Sequence, residues 1–167
     1  MTFPIDTVKD LYAFYGVPDR NSDGQSDISW VEENIVRIVP PYQMLFSWNQ
    51  MPVKTIQCHR KVQPYLLKAL QGIAQEFSSN DIAKYQLNQC GGCFSSPRPR
   101  RNGTRLSLHS FGAAIDISPD INRLGRIYQQ DKGMMPMKVV EIFKDQGAKW
   151  GGLWRVAPDA MHFEWTA

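Results

Sequence analysis

The strongest constraint on the fold comes from the second half of the chain, which contains Ser107-Leu108-His109-Ser110-Phe111-Gly112-Ala113-Ala114-Ile115-Asp116. His109 and Asp116 are seven residues apart, and a straight strand would separate them by about 23 Å at ~3.3 Å per residue. If both side chains bind one metal ion, the chain must double back between them. Gly112 is the residue that allows a tight turn there, because glycine tolerates positive φ. A turn followed by a strand over residues 113–117 is therefore predicted.

A second stretch near the C-terminus, Asp159-Ala160-Met161-His162-Phe163-Glu164-Trp165, supplies further candidate site residues. Side chains alternate along a strand, so His162 and Glu164 share one face, while Phe163 and Trp165 share the other. Asp159 precedes the strand in a predicted turn, which brings its carboxylate to the side of His162. The polar face can therefore look into a site while the aromatic face packs in the core.

The two stretches together contain the parts of a catalytic zinc site. His109, Asp116 and His162 are three candidate ligands, and the fourth position would be left to water. Asp159 could take a proton from that water and later give it to a leaving amine. Glu164 is predicted to orient a histidine ligand. The chain has three histidines, and the remaining one, His59, is interpreted as a structural residue.

Length and composition indicate one domain spanning residues 1–167, with residues 1–40 as an N-terminal extension of the fold. The 167 residues carry a net charge of +3, which suits an anionic polymer but does not require one. The first residues lack a secretory pattern, and no run reaches the ~18 apolar residues of a membrane helix. Three cysteines leave one unpaired. We therefore expect a monomer made in the cytoplasm without a signal peptide, and no membrane partner.

Hydrophobic periodicity predicts a mixture of helices and strands without βαβ alternation, and hence an α+β fold. Helices are expected around residues 8–15, 62–77 and 137–146, the last stopped by Gly147. Strands are expected at residues 34–39, 44–48, 113–117 and 161–165. Residues 91–104, which are rich in Gly, Pro, Ser and Arg, are predicted to form a loop.

The paired motifs S-x-H-x-x-G-x-A-x-D and D-x-x-H-F-E-W resemble those of the zinc D-alanyl-D-alanine metallopeptidases. That family includes the vancomycin-resistance dipeptidases and carboxypeptidases and the phage L-alanyl-D-glutamate endolysins. The resemblance extends over roughly residues 42–167. Its further matching pieces are Gly91-Gly92-Cys93-Phe94, Arg98-Pro99 and Trp150-Gly151-Gly152-x-Trp154.

The resemblance implies the fold of the hedgehog signalling domain, a small antiparallel sheet with helices packed on it. It also implies zinc ligation by His109, Asp116 and His162, with Asp159 as the catalytic acid and base. Relatives with Glu at this last position use it in the same role, and Asp is the form seen in phage enzymes.

The resemblance also implies which residues bind substrate. Arg98 best matches an arginine that binds substrate and steadies the developing oxyanion, and Arg100 and Arg101 are near enough to take that role instead. Ser107 would hydrogen-bond the peptide near the metal, and Trp154 would line the cleft.

The function expected from these features is hydrolysis of peptidoglycan stem peptides at the L-alanyl-D-glutamate bond, as in phage lysis. Two alternatives stay open, a D-alanyl-D-alanine carboxypeptidase and a non-catalytic hedgehog-like zinc-binding module. A non-haem iron oxygenase also uses two histidines and one carboxylate, but such enzymes place the first His and Asp two residues apart. The spacing of seven between His109 and Asp116 argues against that class.

Three weaker patterns occur elsewhere in the chain. Asp19, Asn21, Asp23 and Asp27 resemble the start of a calcium loop with Gly24 at its sixth position, but Trp30 stands where a bidentate Glu is needed. An Asx-rich turn is the favoured interpretation. A second zinc site from Cys58, His59, Cys90 and Cys93 lacks a second C-x-x-C pair. The arginine-rich residues 97–105 contain no interleaved aromatics, so no nucleic-acid partner is expected.

Overall fold

The computed structural model describes residues 2–99 and 105–167, which form a mixed α+β arrangement of small sheets and helices. The helices are α1 (Val8–Tyr15), α2 (Ile28–Asn34), α3 (Gln63–Glu76), α4 (Ser79–Lys84) and α5 (Met137–Asp145). The strands are β1 (Ile35–Ile38), β2 (Leu45–Phe46), β3 (Ile56–His59), β4 (Gln89–Gly92), β5 (Ala114–Ile117), β6 (Lys149–Trp150) and β7 (His162–Glu164). The α+β class predicted from sequence is thus confirmed, whereas likeness to the hedgehog domain stays a prediction.

The main sheet has five strands in the order β2-β4-β5-β7-β6, and β1 pairs with β3 in a separate two-stranded sheet. The expectation of an antiparallel sheet is wrong at one edge, because β2 runs parallel to β4. A parallel pair needs a long crossover. Here β3, α3 and α4 supply that connection between the two strands.

Strands β5 and β7 form the centre of the main sheet and lie antiparallel, with Asp116 directly opposite His162. Ile115 and Phe163 also face each other across this pair, and both are fully buried. The Phe163 ring stacks on Phe143 of α5 at a centroid distance of 4.0 Å. The predicted division of β7 into an apolar face and a polar face is therefore confirmed. Asp116 and His162, one from each motif, therefore lie on the same face of the central pair.

Helices α3 and α5 pack against each other and cover the core, as their apolar spacing predicts. Leu66, Leu70 and Ile73 of α3 are completely buried. The helices approach closely at Gly72, where a Cβ atom would lie 2.8 Å from the Ile142 side chain. α3 ends one residue before the predicted limit, and α5 ends at Asp145, with Gly147 at a φ of 77° just beyond it.

The first forty residues contact the same core as the C-terminal strand. The Tyr15 hydroxyl donates a hydrogen bond to the Trp165 carbonyl at 2.6 Å, and the Trp30 indole donates to the Tyr15 carbonyl at 3.0 Å. All three side chains are almost completely buried. These contacts join residues of the first forty to the C-terminal strand region, and the role of residues 1–40 as an extension of the fold stays a prediction. The sequence patterns did not predict α2, which precedes β1 directly.

The prediction of a loop over residues 91–104 is wrong at its start, because Gly91 and Gly92 belong to β4. The register between β4 and β5 shifts at this point, and a Cβ atom on Gly91 would lie 2.7 Å from that of Asp116. Glycine is needed there because the two backbones approach so closely. The end of the predicted loop, residues 100–104, lies outside the described residues. Within residues 2–99 and 105–167, no helix is long and apolar enough to cross a membrane.

Candidate metal centre

A short 3₁₀ helix, Leu108–Phe111, holds His109 at the start of the turn predicted from the first motif. Gly112 ends this helix in the left-handed conformation, with a φ of 65°. A Cβ atom at Gly112 would lie 2.8 Å from the backbone nitrogen of His59, so both backbone conformation and space require glycine. The Ser107 hydroxyl accepts a hydrogen bond from the His109 backbone N–H at 3.4 Å. The predicted turn between His109 and Asp116 is therefore confirmed.

Three side chains from the two motifs converge at one point. His109 Nε2 lies 3.3 Å from Asp116 Oδ1, and His162 Nδ1 lies 3.0 Å from the same oxygen. The two imidazole nitrogens are 3.2 Å apart. Two ligands at about 2.0–2.1 Å from a tetrahedral zinc ion would lie about 3.3 Å from each other. The separations of these three atoms therefore fit the ligand shell of one zinc ion.

The other nitrogen of each imidazole is occupied by a hydrogen-bond acceptor. His109 Nδ1 lies 2.8 Å from the Cys93 carbonyl oxygen, and His162 Nε2 lies 3.2 Å from Glu164 Oε2. The Thr166 hydroxyl donates to the second Glu164 oxygen at 3.1 Å. A histidine that donates one N–H outward presents the lone pair of its other nitrogen inward. This arrangement suits metal binding through His109 Nε2 and His162 Nδ1.

The predicted orienting contact of Glu164 is present, whereas the contact made by Cys93 was not predicted from the sequence. That contact uses a backbone carbonyl, which every residue has, so no residue type could have marked it. The nearest signal was the Gly91-Gly92-Cys93-Phe94 piece of the family resemblance.

The charges around the centre favour a bound cation. Burial lowers the pKa of His162, but hydrogen bonds to Asp116 and Glu164 outweigh this effect and raise the pKa to about 10. Burial raises the pKa of Asp116, but its hydrogen bonds with His109 and His162 outweigh that and hold the pKa well below its usual range. A carboxylate held ionised beside two imidazoles is a suitable anionic ligand for a divalent metal.

Asp159 lies in the turn before β7, where its backbone carbonyl accepts a hydrogen bond from the His162 N–H at 3.1 Å. The residue is 8% exposed, and Oδ1 is buried without a hydrogen-bond partner in the described part of the chain. Burial and the Asp116 carboxylate raise the pKa of Asp159 to about 6, although both site histidines act in the opposite direction. A buried carboxyl group with a pKa near neutrality suits general acid–base chemistry.

Within residues 2–99 and 105–167, His109, Asp116 and His162 form a group able to hold a metal ion, with potential ligand atoms that all lie within 4.8 Å of one another. Two imidazoles and one carboxylate are a donor set that zinc accepts. The chemistry and spacing of these side chains therefore fit the zinc ion that the motifs predict.

The predicted substrate-binding residues make different contacts. The Trp154 ring lies 5.2 Å from the His162 ring, centroid to centroid, and the residue is 39% exposed. Arg98 has an exposed side chain, and its backbone is hydrogen-bonded to Ser107 and Ser110 beside the first motif. The Ser107 hydroxyl is half-buried and caps the 3₁₀ helix. Arg100 and Arg101 lie outside the described residues.

The acidic segment from Asp19 to Asp27 forms a hydrogen-bonded turn. Asp19 accepts hydrogen bonds from the backbone N–H groups of Asp23 and Gly24, and Asp27 accepts one from Arg20. These carboxylates therefore organise the turn, as the favoured interpretation predicts. The cysteines of the weaker zinc pattern, Cys58, Cys90 and Cys93, are free, buried thiols.

His59 is completely buried and serves the core. Its Nε2 lies 3.1 Å from the Tyr15 carbonyl oxygen, and its Nδ1 accepts a hydrogen bond from the Lys61 N–H at 3.1 Å. The structural interpretation of His59 is thus consistent with its contacts.

A comparison with known protein families supports the interpretation of this centre. Residues 100–165 match the sequence profile of the D-alanyl-D-alanine carboxypeptidase family. The matched segment contains His109, Asp116, Asp159 and His162, so the resemblance predicted from the paired motifs is confirmed. Comparison with curated proteins gives no significant match to this chain.

Proposed function

We propose that this protein is a zinc-dependent peptidase that hydrolyses the stem peptides of peptidoglycan, and that it cuts the L-alanyl-D-glutamate bond. The observation that carries the proposal is the convergence of His109, Asp116 and His162 within 3.3 Å, inside a segment that matches a D-alanyl-D-alanine carboxypeptidase family. The buried carboxyl group of Asp159 interacts electrostatically with all three side chains.

The zinc ion would be held by His109 Nε2, Asp116 Oδ1 and His162 Nδ1. When bound, it would lower the pKa of a coordinated water to about 7 and polarise the scissile carbonyl. Glu164 and the Cys93 carbonyl fix the two imidazole rings through their outer nitrogens. Because these contacts hold the rings, little reorganisation is needed when metal or substrate enters.

Asp159 would carry the proton transfers. With a pKa raised to about 6, its carboxyl group is mostly ionised near pH 7 and can accept a proton at Oδ1, which has no competing hydrogen bond in the described chain. Once protonated, a carboxyl group with this pKa can donate the proton to the departing amine. This role distinguishes an enzyme from a non-catalytic zinc module, which would have no use for the acid–base group.

Substrate contacts would come from the rim of the centre. Trp154, tilted against the His162 ring, offers a partly exposed aromatic wall for the peptide. Arg98 would pair with negative charge on the substrate or on the tetrahedral intermediate, a role for which a guanidinium fork is well suited. Arg100 or Arg101 could take this role instead. Ser107 would hydrogen-bond the peptide.

The choice of the internal bond rests on Asp159, since the resemblance associates aspartate at this position with phage enzymes. On that basis we also propose that the protein acts on the wall during phage lysis, after synthesis in the cytoplasm. Removal of the terminal D-alanine by the same centre is the alternative, and the name of the matched family favours it. The two activities would share the metal chemistry and differ in the shape of the cleft.

The test is mass spectrometry of purified peptidoglycan after digestion with the zinc-loaded protein, with Asp159→Asn as the inactive control. New ends between L-alanine and D-glutamate would support the endopeptidase. Loss of the terminal D-alanine alone would establish the carboxypeptidase instead. Intact peptides, with zinc shown to be bound, would overturn the enzymatic proposal in favour of a binding module.

A further inference from the structure

A groove of about 470 Å³ lies between the small sheet and the edge of the main sheet. We call it the Trp48 groove. Its lining includes Arg37, Phe46, Trp48, Lys54, Gly92 and Cys93. None of the three candidate metal ligands lines this groove. Its volume lies in the range typical of sites for small ligands.

An exposed aromatic pair forms one wall of the Trp48 groove. The Trp48 ring is stacked on Phe46 with centroids 4.6 Å apart and an interplanar angle of 28°, yet 62% of Trp48 remains exposed. A Cβ atom on Gly92 would lie 3.8 Å from the Trp48 ring, so the ring lies over the backbone of β4. A large apolar surface left in water but held in place by stacking provides a flat face for a ligand.

The charge of the Trp48 groove selects for an anion. Arg37 and Lys54 line it, both with exposed side chains, and no aspartate or glutamate is among its lining residues. Neither cation has an acidic partner within 4.0 Å among the described residues. Two such cations beside an exposed indole favour a ligand that carries carboxylates and also has an apolar portion.

The Trp48 groove is connected to the metal centre through β4. Gly92 lies opposite Asp116 in the sheet, and the Cys93 carbonyl accepts the hydrogen bond of His109 Nδ1. Strand β4 separates β2 from β5, so the aromatic edge lies about 10 Å from the metal-binding strand, at ~4.8 Å per strand. An extended peptide covers that distance in about three residues at ~3.3 Å each. The in-sheet distance between the two sites is therefore within the reach of one peptide.

We propose that the Trp48 groove is a substrate subsite that binds the carboxylate-bearing part of the wall peptide, away from the scissile bond. This inference rests on the proposed function and identifies where the remainder of the substrate is held. Trp48 contacts the aliphatic part of the peptide, and Arg37 and Lys54 pair with its carboxylates. Anchoring the peptide at a distance from the metal fixes the position of the bond to be cut.

The test measures binding of a soluble stem peptide, L-alanyl-γ-D-glutamyl-diaminopimelate, to zinc-loaded Asp159→Asn protein by calorimetry. A second probe is the same peptide with its side-chain and terminal carboxylates converted to amides. The variants, each made in this background, are Trp48→Ala, Trp48→Tyr and the pair Arg37→Ala with Lys54→Ala. The matched control is the pair Lys9→Ala with Lys68→Ala, which removes two exposed cations that do not line the groove.

We expect the background protein to bind the carboxylate peptide at least about tenfold more tightly than the amide peptide, and the paired groove variant to lose this preference. Trp48→Ala should weaken binding of both peptides about fivefold, and Trp48→Tyr should restore most of it because it keeps a flat ring. The control pair should behave as the background does. Affinities within about twofold of the background for all groove variants, with zinc content unchanged, would overturn the subsite.

Failure of the subsite and failure of the proposed function give different results. If the wild-type protein cleaves the wall peptide while every groove variant binds normally, the function stands and the subsite is wrong. If the wild-type protein cleaves no wall peptide but binding still depends on Trp48, Arg37 and Lys54, the groove stands as a carboxylate-binding site without the proposed hydrolysis.

Discussion

His59 and His162 are both buried, yet they lie in opposite electrostatic surroundings. His59 is fully buried, and its nearest polar partners are the backbone carbonyl of Tyr15 and the backbone N–H of Lys61. Burial lowers its pKa to about 4, and the cations Lys61 and Arg60 act in the same direction. The imidazole is therefore kept neutral and serves as a hydrogen-bonding core residue.

His162 is also nearly inaccessible, at 6% exposed, but it lies between the carboxylates of Asp116 and Glu164. These carboxylates outweigh burial and raise the pKa of His162 to about 10. Burial alone therefore does not distinguish a structural histidine from a candidate metal ligand. The charge of the neighbouring groups distinguishes the two, because carboxylates that attract a proton also attract a divalent cation.

The largest expected difference between the two histidines is in metal binding. His162→Ala should weaken zinc binding by more than about a hundredfold, since even outer contacts of a ligand are worth ~10–100-fold. Peptidase activity should fall to background with it. His59→Gln should retain one zinc ion per chain. Metal analysis after dialysis against a weak chelator measures both, and full zinc occupancy in His162→Ala would refute its assignment as a ligand.

A substitution at Asp159 should change catalysis without changing metal binding at the same centre. Asp159→Asn should reduce turnover by about 10²–10⁴-fold, the usual contribution of a general acid–base group, with zinc content unchanged. The assay is steady-state release of new amino termini from a wall peptide. Asp145→Asn, an exposed position at the end of α5, is the control and should be fully active. Normal turnover in Asp159→Asn would remove the acid–base role from this residue.

His59 should make stability depend on pH in a window set by its lowered pKa. Between pH 6.5 and about 4 the unfolded chain binds a proton at His59 and the folded chain does not, so stability falls as the pH falls. The difference corresponds to about 3 kcal/mol at ~1.4 kcal/mol per pKa unit. Urea denaturation at about pH 7 and about pH 4 in the presence of EDTA measures it.

The comparison protein for this measurement is His59→Gln, which retains a side-chain amide but does not titrate. It should show about 3 kcal/mol less loss of stability between the two pH values than the wild type. Identical pH dependence in the two proteins would show that His59 titrates normally and that its burial does not control its charge.

The smallest expected effect is on zinc affinity when Glu164, which contacts the outer nitrogen of His162, loses its charge. Glu164→Gln should keep the ring in place, because an amide oxygen can still accept its hydrogen bond, but should lose the negative charge. Zinc affinity is expected to fall by about 10–100-fold. Competition with a fluorescent zinc chelator provides the measurement. Thr166→Val, which removes the hydroxyl bonded to Glu164, should have a weaker effect than Glu164→Gln, and the reverse order would contradict the charge-based explanation.

The local features of this protein can be predicted from its sequence. The periodicity of α1, α3 and α5 and the alternation in β7 follow from side-chain direction, which a helix or a strand fixes without help from the rest of the chain. The turn at Gly112 follows from the backbone freedom of one residue type. The two motifs also contain His109, Asp116, Asp159 and His162, so the composition of the candidate site was readable before its geometry.

The way in which distant segments meet becomes visible in the folded structure and not in the sequence. Contacts between residues far apart in sequence are encoded by no local pattern. They determine the parallel pairing of β2 with β4, the presence of α2 and the extension of β4 through Gly91. The same holds for the Cys93 carbonyl against His109 and for Trp48 over Gly92. A backbone carbonyl and an exposed indole gain a role through the partner that folding brings to them, because neither residue type carries that information in the sequence.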